Sequence, residues 1–258
     1  MKKVIVTILV VALLISIMSA GCEGVVTGSG NLETKQYNFS DFNRVDIGYA
    51  FEVEIDQSSS YSISITADDN LFEYIHVSKE GETLKIGLER ITSLGPVTLK
   101  AEVTMPQLRG LDLSGMTRGT VSAFSSTENL DVEVSGASSL DLVDISAGDV
   151  KCEASGLSKI TGDITASDAD FDVSGASTIQ LEGSAIDIVI DASGASRVKL
   201  AAFPINNATV ALSGASSGTV NLDGRLDADL SGASKLEYIG KPTMGTINTS
   251  GGSTLSKK

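Results

Sequence analysis

The chain has 258 residues, 41% of them hydrophobic, and carries 33 acidic against 19 basic residues for a net charge of −14. So acidic a chain, without a basic patch in its sequence, argues against nucleic acid as a partner and against electrostatic binding to anionic lipid. Two cysteines and one histidine give no zinc or P-loop spacing, so neither a metal nor a cofactor is expected.

The N-terminus has the pattern of a targeting segment. Lys2 and Lys3 precede an apolar run from Val4 to Met18, followed by Ser19-Ala20-Gly21-Cys22. A basic start, a short apolar core and small residues at its end describe a signal peptide over residues 1–21. The run is short for a membrane span, which needs roughly 20 apolar residues. A cysteine after Ala-Gly resembles the lipobox of prokaryotic lipoproteins, which implies that Cys22 is acylated and becomes the first mature residue. Ser19 stands where that pattern usually has Leu, so ordinary signal cleavage and an uncleaved anchor stay open. Loss of residues 1–21 removes Lys2 and Lys3 and moves the net charge from −14 to −16. The expected location is extracytoplasmic, in the cell envelope, with membrane contact through the lipid on Cys22. Residues 22–31, rich in Gly, Thr and Ser, read as a flexible tether.

Residues 32–110 alternate in hydrophobicity with a period of two. Phe51, Val53 and Ile55 alternate with Glu52, Glu54 and Asp56; Tyr61, Ile63 and Ile65 alternate with Ser62, Ser64 and Thr66. The same rule holds for Leu84, Ile86 and Leu88 and for Val97 to Val103, as in half-buried strands. Ala67-Asp68-Asp69-Asn70 starts a short turn or helical segment, Ser78–Glu82 reads as a hairpin loop, and Pro106 closes the region.

From residue 111 to 253 a repeat takes over. Ser-Gly pairs stand at Ser114-Gly115, Ser135-Gly136, Ser155-Gly156, Ser174-Gly175, Ser193-Gly194, Ser213-Gly214, Ser231-Gly232 and Ser250-Gly251, at intervals of 18 to 21 residues. Five of them read Ser-Gly-Ala-Ser. A period near 20 residues is the mark of a solenoid. The chain is therefore expected to be all-β: a single-stranded β-solenoid of about eight coils, roughly 40 Å long at strand spacing, continuous with a β-strand cap over residues 32–110. Residues 254–258 form a tail. Each coil would have one strand, a tight Ser-Gly corner, a second strand and a looser corner. Glycine supplies positive φ at the corner. The alanine is expected inside the narrow corner, and the serines are expected to hydrogen-bond along the edge.

Several segments carry a family resemblance: Phe42 to Ile55 (FNRVDIGYAFEVEI), Ser64 to Leu71 (SITADDNL), Leu84-Lys85-Ile86, Val103 to Leu108 (VTMPQL) and Leu113-Ser114-Gly115, followed by the Ser-Gly-Ala-Ser repeats. Together they resemble the family named "putative auto-transporter adhesin, head GIN domain", a domain of unknown function, from about Phe39 to Ser253, within the head domain expected over residues 32–253. The resemblance implies an exported or lipid-anchored β-solenoid of a prokaryotic envelope. It carries over no catalytic residue.

His76 is the only histidine, and nothing near it in sequence supports a triad. Cys152, at an alternating strand position, reads as a small buried apolar residue. Asp131, Asp141, Asp172, Asp187, Asp191 and Asp229 recur at strand positions. They read first as solvated outward faces, although stacked carboxylates could bind calcium or act in pairs on a polysaccharide. The favoured function is non-enzymatic adhesion, binding or scaffolding toward a glycan or an envelope protein. The alternative is a polysaccharide-active β-helix enzyme using those surface carboxylates, with or without calcium.

Overall fold

The computed structural model describes residues 25–89 and 93–258. The signal segment 1–21, Cys22 and the first residues of the tether lie outside the described residues. The described chain is all-β, with one 3-10 turn at Asp69–Leu71.

Two strands, one in each sheet, make each coil, and each runs parallel to its counterpart in the next coil. In the repeat region β8 (Gly110–Leu113) is followed by β9 (Arg118–Ser122), β10 (Leu130–Val134) by β11 (Ser139–Ser146), and β12 (Val150–Ala154) by β13 (Lys159–Thr165). It continues with β14 (Asp168–Val173) and β15 (Thr178–Ser184), then β16 (Asp187–Ala192) and β17 (Arg197–Ile205). The last three pairs are β18 (Asn207–Leu212) with β19 (Ser217–Leu222), β20 (Arg225–Leu230) with β21 (Lys235–Ile239), and β22 (Thr243–Thr249) with β23 (Thr254–Lys257). The even-numbered strands stack in one sheet and the odd-numbered strands in the other. A Ser-Gly corner joins the two strands of every pair. Eight corners enclose seven complete turns, so the coil count is about seven rather than the expected eight.

The first seven strands are β1 (Leu32–Tyr37), β2 (Arg44–Ile47), β3 (Glu52–Gln57), β4 (Ser62–Asp68), β5 (Ile75–Glu80), β6 (Thr83–Leu88) and β7 (Leu99–Met105). They do not stack in chain order. β2 and β3 form a coil in register with β8 and β9, while β6 and β7 lie on its other side. Antiparallel strands then close that end: β5 on β6, and β4 followed by β1 on β7. The segment ahead of β1 is hydrogen-bonded to this cap. Asp68, 3% exposed, accepts from the backbone of Gly30 and Thr98 at 2.8 Å each. The side chain of Asn70 donates to Thr27 O and accepts from Ser29 N, both at 2.9 Å.

The core lies between the sheets. Inward positions alternate along each strand, as Val132, Val134, Leu140 and Leu142 do in one coil and Phe171, Val173, Ile179 and Leu181 in the next but one; all eight are buried. Parallel in-register stacking places each apolar residue on its counterpart one coil away, so the core is a continuous column.

The corner explains the repeat. All eight corner glycines have positive φ, between 63° and 76°. The stacking is as demanding as the dihedral: a Cβ on Gly175 would lie 2.5 Å from Gly156 O. That carbonyl accepts from Ala176 N at 2.8 Å, and the same bond recurs from Ala195, Ala215 and Ala233 to the glycine one coil before. The hydrogen-bond ladder therefore runs round the bend without a break. The alanine, however, points outward. Its position is exposed in every coil and holds Met116 at 61% and Leu157 at 69% exposure. The second serine turns inward instead, which corrects the expectation of an alanine inside the corner. The outward position follows from the amide: its N–H is aimed along the stack, which leaves Cβ on the solvent side.

Gly175→Val should therefore destabilise the protein by about 1–3 kcal/mol through φ strain alone, with the contact to Gly156 O adding to it. Ala176→Leu, one residue on, should shift stability by less than about 0.5 kcal/mol as an exposed substitution. Chemical denaturation of both variants checks the pair, and a large loss in Ala176→Leu would contradict the corner geometry.

Candidate functional site

The edge formed by the corners is structural on its inner side. Thr117, Ser138, Ser158, Ser177, Ser196, Ser216 and Ser234 form a buried polar column, one residue per coil. Ser196 Oγ donates to Ser193 O at 2.8 Å and approaches Val173 O at 3.1 Å; Ser216 repeats this with Ser213 O and Ala192 O. Ser158 and Ser177 bond to each other at 3.3 Å. These hydroxyls close the turn and tie it to the preceding coil, which leaves them no free group for chemistry. The looser corners carry a second polar ladder, in which Asp187 N bonds Asp168, Asn207 N bonds Asp187, and Arg225 N bonds Asn207.

Function has to be sought on the outer faces. On the even-numbered sheet the position two residues before each corner serine forms one straight row. Asp46, Asp112, Glu133, Glu153, Asp172 and Asp191 are cross-strand neighbours in that order. Ala211 interrupts the row and Asp229 resumes it. Strands are about 4.8 Å apart, so six like charges follow one another at strand spacing, an unfavourable arrangement. The Asp112 carboxyl pKa is pushed up to about 6, first by burial and then by Asp46 and Glu133. Asp172 is raised in the same direction by burial, Asp191 and Glu153.

A shallow groove of about 480 Å³ crosses this row near the cap. Gly110 in its floor has no side chain, so Arg44 lies across it and reaches Asp131 at 3.1 Å. Lys85, beside Asp46, and Lys151, paired with Glu153 at 2.5 Å, complete its rim. Positive and negative side chains thus meet at this end of the row, and again at the far end, where Arg225 pairs with Asp227 at 2.6 Å on the strand that carries Asp229.

The structure separates the six aspartates singled out from sequence. Asp172 and Asp191 are direct neighbours, and Asp229 lies on the same row beyond Ala211. Asp131 occupies the adjacent row at the groove. Asp141 projects from β11, on the opposite sheet, and Asp187 belongs to the looser-corner ladder. Asp46, Asp112, Glu133 and Glu153 were missed. Aligning the repeats on their corner serines would have revealed three of them, because a carboxylate stands two residues ahead of Ser114, Ser135 and Ser155. Among the described residues no group of three or more His, Cys, Asp and Glu is placed to hold a metal ion. His76 is exposed, with Nδ1 at 3.9 Å from Glu89. Cys152 is fully buried, and burial pushes its thiol pKa up to about 12, so it is inert.

The fold and these faces define a β-solenoid with repetitive outer surfaces and a capped end. A family model described as "Putative auto-transporter adhesin, head GIN domain" matches residues 41–242, and the chain belongs to that family. Solved structures share the fold. A "putative lipid binding protein" from Parabacteroides distasonis is 20% identical, with a TM-score of 0.80 over 91% of this chain and all of the other. A "putative adhesin" from Parabacteroides merdae is 18% identical, with a TM-score of 0.82 over 90% of this chain and 98% of that one. A "putative adhesin" from Bacteroides fragilis is 21% identical, with a TM-score of 0.66 over 90% and 100%. No curated protein matches the sequence.

The acidic row sets a pH dependence. An unfolded Asp releases its proton near pH 3.9, whereas Asp112 in the fold holds it to about 6. The folded state binds the extra proton between those values, so stability is gained as pH falls from 7 toward 5 and lost as pH rises through 6. Asp227, held down to about 2 mainly by Arg225, acts oppositely only below about pH 4. The denaturation midpoint should therefore be higher at pH 5 than at pH 7. Asp112→Asn should raise the midpoint at pH 7 and narrow the difference between the two pH values.

Proposed function

We propose that the protein is an exported, lipid-anchored envelope protein whose rod binds a repetitive polymer or another envelope protein without cleaving it. The observation that carries this reading is the in-register repetition of outward side chains along a rigid stack. Such a surface offers the same contact many times at fixed spacing and suits multivalent binding, in which each contact is weak and the sum is not. The family description as an adhesin head domain and the names of the structural neighbours support it. The signal pattern ending at Cys22 supports export and acylation.

A second reading, a glycan-cleaving enzyme, draws on Asp112. A carboxyl held protonated to about pH 6 beside other carboxylates in a groove is the profile of a general acid.

A glycan array paired with a reducing-sugar release assay separates the two. Binding without release is expected; release abolished by Asp112→Asn, or by changing Asp131, Asp172 or Asp191, would establish the enzyme instead. Membrane fractionation tests the anchor. The Cys22→Ala protein should leave the membrane fraction, and retention equal to wild type would rule out acylation as the attachment.

A further inference from the structure

The odd-numbered sheet carries a row of a different kind. Four residues after the first seven corner serines, the outward positions read Arg118, Ser139, Lys159, Thr178, Arg197, Ser217 and Lys235, each the cross-strand neighbour of the next; Thr254 follows Lys235, and Glu52 stands on the other side of Arg118. Cations and hydroxyls alternate strictly along it. The four cations are exposed and the three hydroxyl residues between them are half-buried; the exposed corner residues beside the row are alanines except Met116 next to Arg118 and Leu157 next to Lys159. Among the described residues Arg118, Lys159 and Arg197 form no ion pair; Lys235 pairs with Glu237 on its own strand.

Two physical accounts compete. Alternation could merely keep like charges off adjacent strands, where they are unfavourable. The other sheet argues against that, since the same chain stacks six carboxylates on consecutive strands there. Composition does not produce the row either: 19 basic residues in 258 would fill fewer than one of these seven positions on average, and four are filled. The six-carboxylate row lies on the opposite outer face, with the core between, while Asp141, Asp163, Glu182 and Glu237 stand on the cationic row's own sheet at other outward positions.

We infer that this row is a binding track for an extended anionic polysaccharide bearing one acidic group per disaccharide. The inference rests on the binding reading above and names its ligand class. The cations recur every two strands, about 9.6 Å apart, which matches the advance of one disaccharide in an extended β-linked chain. Each charge meets one acidic group, and the intervening hydroxyl faces the neutral sugar between. A polymer with an acid on every sugar would leave every second charge opposite a serine or threonine, so its extra charge would gain nothing.

The test uses the full-length protein with three probes: hyaluronan, with one carboxylate per disaccharide; polygalacturonate, with one per sugar; and uncharged dextran. Hyaluronan should bind more tightly than polygalacturonate, and dextran should not bind. Arg118→Gln/Lys159→Gln/Arg197→Gln should weaken hyaluronan binding about tenfold, as the sum of three exposed charge contacts. Lys79→Gln/Arg109→Gln/Lys241→Gln makes the same change in net charge away from the row and should leave binding unaltered. Ser139→Lys/Thr178→Lys, which puts a cation on every strand, should shift preference toward polygalacturonate. Absence of hyaluronan binding, equal binding by the two triple variants, or a preference for polygalacturonate in the unaltered protein would overturn the inference. If the array instead shows a neutral glycan bound equally by both triple variants, the track falls while the binding reading stands.

Discussion

Every feature of this molecule depends on parallel strands held in exact register from one coil to the next. The corner enforces it. A glycine at positive φ makes the bend, its carbonyl accepts the amide of the following coil, and the gap leaves no space for a Cβ. The inward serine locks the same bend from inside. With register fixed at the corner, positions before and after it fall into straight rows, and so the core column, the acidic row and the cationic row are consequences of one turn repeated. A slip of one residue in any coil would turn its apolar side chains to solvent.

The repeat region was legible because its period is local: strand, corner and strand occupy consecutive residues, and alternation marks which side chains face in. The expectations that failed were those requiring a direction or a count. Ala137 or Ala176 looks small enough for an interior, yet size does not report where Cβ points; the exposed Met116 and Leu157 at the same position in the repeat carried that signal. The stacking order of the first strands could not be read at all. β2 and β3 sit between β8 and β9 on one side and β6 and β7 on the other, so the order in space departs from the order in sequence. Their corner, Gly48-Tyr49-Ala50, also lacks the Ser-Gly signature, with Tyr49 and Ala50 taking positive φ in place of glycine.

The outer faces show how a chain can conceal a pattern from composition. No stretch of sequence is basic, because Arg118, Lys159, Arg197 and Lys235 are separated by 38 to 41 residues. Coiling brings them into line. The carboxylates are similarly dispersed, and only a register referred to the corner serines assembles them. The two rows face opposite ways across the core. A single net charge therefore describes neither face.

The clasp made by Asp68, Asp69 and Asn70 has a mechanical meaning. It fixes the segment from Thr27 to Asn31 to the capped end, so a pull applied through the N-terminus enters the rod at its first layers. The hydrogen bonds between coils run along the rod axis, and tension in that direction opens them layer by layer instead of shearing many at once. A load between the N-terminus and a partner held on one face would be borne only by the coils between the two points. Coils beyond the point of attachment would remain slack and folded, and the force at which the rod yields would be set by a few layers near the cap, whatever its total length.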